Sequence, residues 1–309
     1  MKGKKVAVLM STYNGEDFVE EQIASILAQE KVAVTLFIRD DGSKDHTVSI
    51  IKKIGSPHIE RIYQGENLGY GKSFFELVKS VPQNFDYYAF SDQDDYWLPE
   101  KLNQAIEKLE DMSEERKLYF SNLQVVDNEL IFIKEKNFAN MKISLGSAFV
   151  RNRTAGCTYV FNRNLFNLCR LYPIDGFSKM VEHDAIIYKL CLATNGGIYY
   201  DENSFILYRQ HEYNVTGTNQ GIKKRLKKEL IDQFKNDYKK KLMQETARIM
   251  LGFLKTKEIK SESLTLLEQI SKYDENFVNR LFLIFNKDMN SGVRLFDIKN
   301  KFEILMNIY

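Results

Sequence analysis

Cysteine is scarce in this sequence. The 309 residues include only Cys157, Cys169 and Cys191. Their spacing matches no metal-binding or redox motif, and an odd number argues against a complete set of disulfides. We therefore expect reduced thiols in the core of a cytoplasmic protein.

Long apolar runs and a dominant sign of charge are also missing. No stretch reaches the ~18 apolar residues that predict a transmembrane helix, and the apolar run in MKGKKVAVLM is short for a secretory signal. The net charge is only +2, so the chain as a whole is not a polyelectrolyte binder. No recognised nucleic-acid module and no basic patch with interleaved aromatic residues occurs, so we expect no nucleic-acid partner.

The first hundred residues alternate strand and helix patterns. The apolar runs VAVLM (6–10), VTLFI (34–38) and YYAF (87–90) are typical of strands buried on both faces. Segments with helical apolar spacing, such as 17–29, lie between them. This order predicts an α/β fold, with a mostly parallel sheet and helices on both faces.

Three polar loops each follow one of these strands. They are STYNGE (11–16), DDGS (40–43) and SDQDD (91–95). Because ligands bind at the carboxyl ends of the strands in open α/β sheets, we expect these loops to converge at one edge.

The loop SDQDD places three aspartates, Asp92, Asp94 and Asp95, directly after a buried strand. Carboxylates this close raise each other's pKa, and a bound cation would compensate their charge. Side chains two residues apart in an extended segment face the same way, so Asp92 and Asp94 can share a ligand. The alternative is a solvated acidic turn that favours the start of the next helix.

The other loops also allow two interpretations. Asp40 or Asp41 could accept hydrogen bonds from a ribose or a base, or form a local turn with Asp45 capping the next helix. The loop STYNGE could hold a nucleotide, although turns of this composition are common. Lys72 in ENLGYGKS could reach a phosphate or simply be solvated.

Two of the four histidines stand in suggestive places. His183 precedes Asp184 at a predicted helix start, and His211 lies in YRQHEYNVTG. Taken singly, the histidines are equally consistent with surface or core positions, and Asp184 with a helix cap.

The character of the chain changes after about residue 220. Between residues 222 and 250 there are ten Lys or Arg against four Asp or Glu, with few turn signals. The pattern predicts a helical appendage. Its lysines could lie on an anionic membrane, where each cation contributes about 1 kcal/mol to the binding free energy. Alternatively, the helix has a solvated face or is a dimerisation arm, which would make the protein a homo-oligomer.

Seven ordered segments together resemble the family 2 inverting glycosyltransferases, most of all the bacterial rhamnosyltransferase-like members that build cell-wall or capsular polysaccharides. The segments are VAVLMSTYNGE, IRDDGSKDHT, ENLGYGKSF, SDQDDYWLPEKL, GCTYVFN, HDAIIYKLCLATNGG and YRQHEYNVTG. The resemblance spans residues 5–217 and implies a GT-A fold. The nucleotide-binding half would be about 1–117 and the acceptor-binding half about 118–217, followed by a helical region at 218–309.

The resemblance also implies a role for each motif residue. Asp184, in HD where the family often has ED, would be the catalytic base. Asp94, His211 and Asp92 would bind Mn²⁺ or Mg²⁺, and the histidine favours Mn²⁺. The nucleotide would contact Ser11, Thr12, Tyr13, Glu16, Asp40, Asp41, Lys72 and Asp92. The acceptor and sugar pocket would include Trp97, Gly156, Cys157, Thr158 and His183, with packing under a helix as the alternative for Trp97.

The implied reaction moves a sugar from a nucleotide diphosphate to a saccharide or lipid-linked saccharide. The family suggests L-rhamnose from dTDP-L-rhamnose, and a lipid-linked acceptor would suit a protein at the inner face of the plasma membrane. The alternatives are a UDP-hexose donor, a sugar-nucleotide nucleotidyltransferase and a non-catalytic nucleotide-sugar binder. A nucleotidyltransferase would need a G-x-G-x-R-type loop after the first strand, where this chain has STYNGE.

Overall fold

The computed structural model of the chain describes residues 3–174, 182–211, 241–255, 257 and 259–309. Its first half alternates strands and helices: β1 Lys4–Thr12, α1 Val19–Leu27, β2 Val32–Asp40, α2 Thr47–Ile54, β3 Ile59–Gln64, α3 Tyr70–Ser80 and β4 Tyr87–Ser91. This is the order that the apolar patterns predict.

The second half is less regular. It contains β5 Tyr96–Trp97, α4 Lys101–Glu110, β6 Lys117–Val126, β7 Phe132–Lys136, α5 Leu145–Val150, a 3₁₀ turn at Gly156–Thr158, β8 Val160–Asn162, α6 Arg163–Arg170, α7 His183–Ala193 and β9 Gly197–Arg209. The helices α8 Leu242–Leu254, α9 Ser261–Ser271, α10 Phe277–Phe285 and α11 Arg294–Leu305 follow.

The nine described strands form one sheet in the order β3-β2-β1-β4-β8-β6-β9-β5, with β7 paired to β6. Strands β3, β2, β1 and β4 are parallel. The short strand β8 runs antiparallel to both β4 and β6, and β6 is parallel to β9. The predicted α/β fold is confirmed, and its parallel pairings lie mainly in the N-terminal half.

Strand β1 lies at the centre of this parallel half. Residues 6–10 pair with β2 on one side and β4 on the other, and their side chains are fully buried. The continuous apolar run VAVLM therefore follows from burial on both faces of the sheet. Helix α3 contacts β1 and β2 and buries Phe74 and Leu77.

The carboxyl ends of β1, β2 and β4 lie at one edge of the sheet. Thr12 pairs with Asp40, and Met10 pairs with Ser91. The loops STYNGE, DDGS and SDQDD therefore converge as predicted. Hydrogen bonds join them, among them one from Tyr13 N to Gln93 Oε1 at 2.8 Å and one from Asn14 N to Ser43 Oγ at 2.9 Å.

The C-terminal helices pack against the second half of the sheet domain. The ring of Phe253 in α8 meets Tyr172 edge-on, with 5.2 Å between centroids, and Lys260 N donates to Ala193 O at 3.1 Å. The proposed boundary at residue 217 and most of the basic segment 222–250 lie outside the described residues, so these domain limits stay a prediction. None of the described helices has the length and hydrophobicity to cross a membrane.

Candidate active site

Carboxylates from two distant motifs meet at this edge of the sheet. Asp92 follows β4, and Asp184 lies in the first turn of α7. Burial raises the pKa of Asp92 to about 7, and the charges of Asp94 and Asp184 add to this effect. The aspartates of SDQDD and the aspartate of HD therefore form one acidic site.

Asp94 is paired with His211. The Nε2 atom of His211 lies 2.8 Å from Asp94 Oδ2, and both side chains are largely buried. The ring of Phe18 stacks on the imidazole at 5.0 Å. The structure thus brings together the two residues that the resemblance implies as metal ligands.

Asp95 lies deeper and is fully buried, and its carboxyl oxygens make no hydrogen bond of normal geometry, although the nearby Cys157 thiol and Arg209 backbone act to lower its pKa. Potential ligand atoms of Asp92, Asp95 and Cys157 lie within 4.8 Å of one another. Burial raises the pKa of Asp95 well above its usual value, and the neighbouring charges of Asp94 and Asp92 raise it further. A buried carboxylate without normal hydrogen bonds is costly, and it points to a compensating charge at this site.

Lys101 provides one buried positive charge near this group. Its Nζ lies 3.6 Å above the centroid of the Trp97 ring. Burial lowers the pKa of Lys101 to about 7, although the charges of Cys157 and Asp95 oppose this effect. Lys101, Trp97 and Asp95 are therefore buried next to the loop SDQDD.

Asp184 is fixed by the start of α7 and by a close approach of the 3₁₀ turn. Ala185 N donates to Asp184 Oδ1 at 2.7 Å, and burial raises the pKa of Asp184. A Cβ on Gly156 would lie 2.9 Å from the Asp184 Cβ and 3.1 Å from His183 Nε2. Glycine is therefore required at position 156, and its neighbours Cys157 and Thr158 are buried in the same turn.

Two predicted sugar-pocket residues lie in the interior instead. Trp97 is 1% exposed and is covered by Lys101, so the packing alternative is correct and the sugar-stacking one is wrong. His183 is stacked on Phe74 at 4.0 Å, and burial lowers its pKa to about 3. The neutral imidazole is a core group beside Asp184, because the aromatic residues of α3 and β4 enclose it.

The carboxylates of DDGS mainly hold the backbone. Asp40 accepts hydrogen bonds from Thr12 Oγ1 at 3.1 Å and from Ser43 N at 2.9 Å. Asp41 forms a buried ion pair with Arg39 and accepts from Gly69 N at 2.9 Å. Gly69 has a φ of +78°, which favours glycine, and directly precedes α3. Contact of Asp40 or Asp41 with a base stays a prediction.

The remaining predicted nucleotide residues line the same edge. Ser11 Oγ lies 2.6 Å from Ser73 Oγ, and Tyr13 is exposed. Glu16 accepts from His46 N at 2.8 Å. Lys72 is half-buried in the first turn of α3.

Arg209 and Gln93 belong to the site but were not among the predicted site residues. The buried guanidinium of Arg209 donates to Asp94 O at 3.1 Å, pairs with Glu21 and lies over the ring of Phe18. Gln93 bridges to the backbone of Tyr13 through two hydrogen bonds. Arg209 stands two residues before His211 at the end of β9, and this i, i+2 spacing was the available signal.

An open cleft of about 400 Å³ lies beside His211. It is lined by Asp17, Phe18, Asp127, Asn128, Glu129, Gln210 and His211. The cleft gives a small molecule access to the imidazole side of the acidic site.

The residues of the acidic site fit a divalent metal. Asp94 and His211 offer a carboxylate oxygen and an imidazole nitrogen, a donor set that suits Mn²⁺. Asp92 adds a second carboxylate to the same loop, and its ligand atoms cluster with those of Asp95 and Cys157. The buried Asp95 supports the same conclusion, since a cation near SDQDD would offset its buried charge.

Comparison with known proteins identifies the family. Residues 7–120 match the family described as glycosyl transferase family 2. The dTDP-rhamnosyl transferase RfbG of Shigella flexneri is 32% identical over 232 residues, which cover 71% of this chain and 77% of that protein. This chain belongs to glycosyltransferase family 2. The family 2 enzyme is also 26% identical, over 52% of its length and 62% of the other protein, to the Escherichia coli UDP-Glc:alpha-D-GlcNAc-diphosphoundecaprenol beta-1,3-glucosyltransferase WfgD.

Solved structures support the fold. The crystal structure of S. aureus TarS 1–349 in complex with UDP-GlcNAc aligns with a TM-score of 0.53 at 15% identity, covering 98% of this chain and 90% of that one. At this identity the likeness concerns the fold, which is that of GT-A glycosyltransferases. The predicted family and fold are thus confirmed.

Proposed function

We propose that this family 2 enzyme is a metal-dependent inverting glycosyltransferase of bacterial surface polysaccharide synthesis. The observation that carries the proposal is the meeting of Asp92, Asp94 and Asp184 at one site, although the HD motif lies about ninety residues beyond SDQDD. A transfer reaction with inversion needs a charged group near the leaving diphosphate and a base near the acceptor. In this proposal, SDQDD supplies the charged group and HD supplies the base.

Asp184 is the proposed base. It removes the proton of the acceptor hydroxyl as that oxygen attacks the anomeric carbon, while the bond to the diphosphate breaks on the opposite face. Because the base works as a carboxylate, and burial raises its pKa, activity is expected to fall as the pH is lowered through that pKa. The Ala185 N–H that contacts Asp184 Oδ1 holds the carboxyl group in place.

Asp94 and His211, with Asp92, are the residues that would hold the metal. When bound, a divalent ion neutralises charge that develops on the leaving diphosphate. Arg209 fixes the backbone at Asp94, and Phe18 holds the imidazole by stacking. These contacts position both ligands before the donor arrives, which reduces the cost of reorganisation during the reaction.

The proposed donor is dTDP-L-rhamnose. The supporting observation is the 32% identity to a protein named dTDP-rhamnosyl transferase over most of both chains. A UDP-hexose is the second candidate, since WfgD is named for UDP-Glc and the TarS structure contains UDP-GlcNAc. The nucleotide would lie across the loops that begin at Ser11, Asp40 and Asp92, with Lys72 near the base or a phosphate.

The proposed acceptor is a saccharide carried on a lipid. The name of WfgD specifies a diphosphoundecaprenol acceptor, and an enzyme that uses such an acceptor works at the inner face of the plasma membrane. The basic segment 222–250 was expected to contact that membrane, and its greater part lies outside the described residues.

A thermal-shift panel followed by a turnover assay tests the proposal. Wild-type protein and Asp94→Ala are heated with dTDP-, UDP-, GDP- and CMP-sugars, with and without Mn²⁺. A ligand that binds the folded state raises its stability, so one nucleotide class should raise the melting temperature of the wild type in a metal-dependent way. Release of the nucleoside diphosphate should require an acceptor.

Two results would contradict the proposal. Formation of a nucleoside triphosphate and a sugar 1-phosphate when pyrophosphate is added to the nucleotide sugar would indicate a nucleotidyltransferase. A metal-dependent shift with no release of nucleoside diphosphate from any donor, across an acceptor panel that includes lipid-linked saccharides, would indicate a non-catalytic binder.

A further inference from the structure

Helix α10 turns large apolar side chains outward. Phe282 is 63% exposed and Phe285 is 75% exposed. Phe277 and Val278, in the first turn, are exposed as well. Leu283 of the same helix is fully buried. One face of α10 therefore packs against the protein, and the opposite face is exposed to solvent.

Helix α11 repeats this arrangement. Its outward apolar residues follow helical spacing at Leu295, Ile298, Leu305 and, just past its end, Met306, and all are exposed. Ile304 faces inward and is fully buried. Soluble proteins rarely expose large contiguous apolar patches without a function, such as contact with a partner or a membrane.

The two helices form an antiparallel hairpin. They contact each other, and the Arg280 guanidinium near the start of α10 donates to Leu305 O at the end of α11, at 3.3 Å. We call the exposed apolar residues of 277–306 the hairpin surface. It is a preformed feature of the fold, because each helix buries its inner side.

Basic residues dominate the exposed charges of the hairpin. Between residues 277 and 306 the exposed charged side chains are Lys287, Arg294 and Lys301, all basic. The acidic groups of this segment are engaged elsewhere: Asp288 pairs with Lys142, Asp297 accepts from Ser291 N and Oγ, and Glu303 pairs with Lys299.

We propose that the hairpin surface binds an anionic lipid bilayer, with its phenylalanines inserted at the level of the headgroups. This inference rests on the proposed function, in which the acceptor is lipid-linked. Amphipathic helices with aromatic residues on one side and basic residues beside them bind membranes in this way, and anionic headgroups attract the three cations.

A second copy of the chain fits the charges less well. In a two-fold interface the same patch meets itself, so the three basic side chains of one copy would face those of the other. The lipid surface is complementary to this charge, and the self-interface is not.

Vesicle flotation tests the proposal. The full chain is mixed with phosphatidylcholine vesicles, with or without about one third phosphatidylglycerol, and floated through a density gradient. Wild-type protein should float with the anionic vesicles and much less with the neutral ones. The double variant Phe282→Ser/Phe285→Ser should lower partitioning by about tenfold or more, because it removes two large apolar side chains that would be buried among the lipids.

A charge variant and a matched control sharpen the test. Lys287→Glu/Lys301→Glu should lower binding to anionic vesicles by about tenfold or more, since it replaces two cations that the anionic headgroups attract with two anions that they repel. Ile131→Ser/Phe132→Ser removes two equally exposed apolar residues at the β6–β7 turn and should leave flotation unchanged. Thermal melts verify that each variant is folded.

Three results would overturn the proposal: no flotation of the wild type, equal binding to neutral and anionic vesicles, or equal loss in the β6–β7 control. A dimer that Phe282→Ser/Phe285→Ser converts to a monomer, seen by light scattering without vesicles, would assign the surface to a second copy instead. The donor-dependent thermal shift uses no lipid, so failure of vesicle binding and failure of the proposed transferase function are distinguishable.

Discussion

Two aspartate loops at the ends of the strands on either side of β1 use the same residue type in opposite ways. In the loop after β2, Asp40 and Asp41 accept hydrogen bonds from backbone and side-chain donors, and Asp41 also pairs with Arg39. In the loop after β4, Asp95 makes no hydrogen bond of normal geometry, and burial raises the pKa of Asp92 to about 7.

The difference predicts which loop contributes more to the stability of the fold and which would hold the metal. Satisfied carboxylates stabilise a loop, because each backbone N–H finds an acceptor. Unsatisfied, mutually repelling carboxylates destabilise the ligand-free protein, and such perturbed groups cluster at functional sites. Substitutions in the first loop should therefore change stability, and those in the second should change activity and metal binding.

The largest expected effect is on catalysis, from Asp184→Asn. This amide keeps the shape of the side chain and cannot accept the acceptor's proton, so turnover should fall by about 10²–10⁴-fold. Nucleoside diphosphate release measures turnover. The melting temperature should not fall, because the variant removes a buried charge. Wild-type turnover in Asp184→Asn would assign the base to another residue.

The next effect is on stability, from Asp41→Ala in the first loop. Removing one partner of a buried ion pair costs about 3–5 kcal/mol, and here Arg39 and two backbone N–H groups lose their acceptor. Urea denaturation measures the free energy of unfolding. The exposed Asp111, changed to Ala, is the control and should have almost no effect. A decrease of less than 1 kcal/mol in the free energy of unfolding of Asp41→Ala would contradict the proposed role of the first loop in stability.

Metal addition should act on the second loop alone. At a hundredfold excess over its dissociation constant, Mn²⁺ should raise the free energy of unfolding by about 2.7 kcal/mol. The gain should reverse with a chelator and be absent in Asp94→Ala, since that variant removes the proposed main ligand. Thermal melts in the presence and absence of Mn²⁺ measure it. An equal gain in Asp94→Ala would place the metal elsewhere.

The smallest effect concerns pH. The pKa of Asp92 is raised from 3.8 to about 7 in the folded protein, so its contribution to stability is present below about pH 4 and is lost as the pH rises through 7. Asp92→Asn removes the ionisable group, so the variant does not lose stability through this group as the pH rises. Without metal, the variant should be more stable than the wild type at pH 8 by at least about 1 kcal/mol, since each pKa unit of the shift corresponds to that much, with a smaller difference at pH 5. Urea titrations at both pH values measure this difference, and a difference independent of pH would contradict the assignment.

The sequence predicts much of the first half of the fold and less of the site. The buried run VAVLM and the polar loops after it are local signals, and they predict both the parallel strands and the edge where the loops meet. Strand β8 is different, because its insertion between β4 and β6 depends on pairing between segments that are distant in the chain. The periodicity of the local sequence cannot predict the position of β8 in the sheet.

The site shows the same limit. Asp94, Asp184 and His211 were identified through a family resemblance, and their spacing alone left a helix cap or a solvated turn equally open. Lys101 was not predicted as a site residue, since a lysine in an amphipathic helix normally faces solvent. In the structure its side chain is buried over the ring of Trp97 and near Asp95. Its burial follows from tertiary packing, which sequence patterns do not contain.

The link between Asp94 and His211 spans 117 positions of the chain. A ribosome that has made the first two hundred residues has released every strand of the nucleotide half, yet the imidazole that faces Asp94 has not been synthesised. The contact between Asp94 and His211 therefore cannot form until β9 and the residues that follow it have been synthesised, so this pair is among the last parts of the acidic site to assemble.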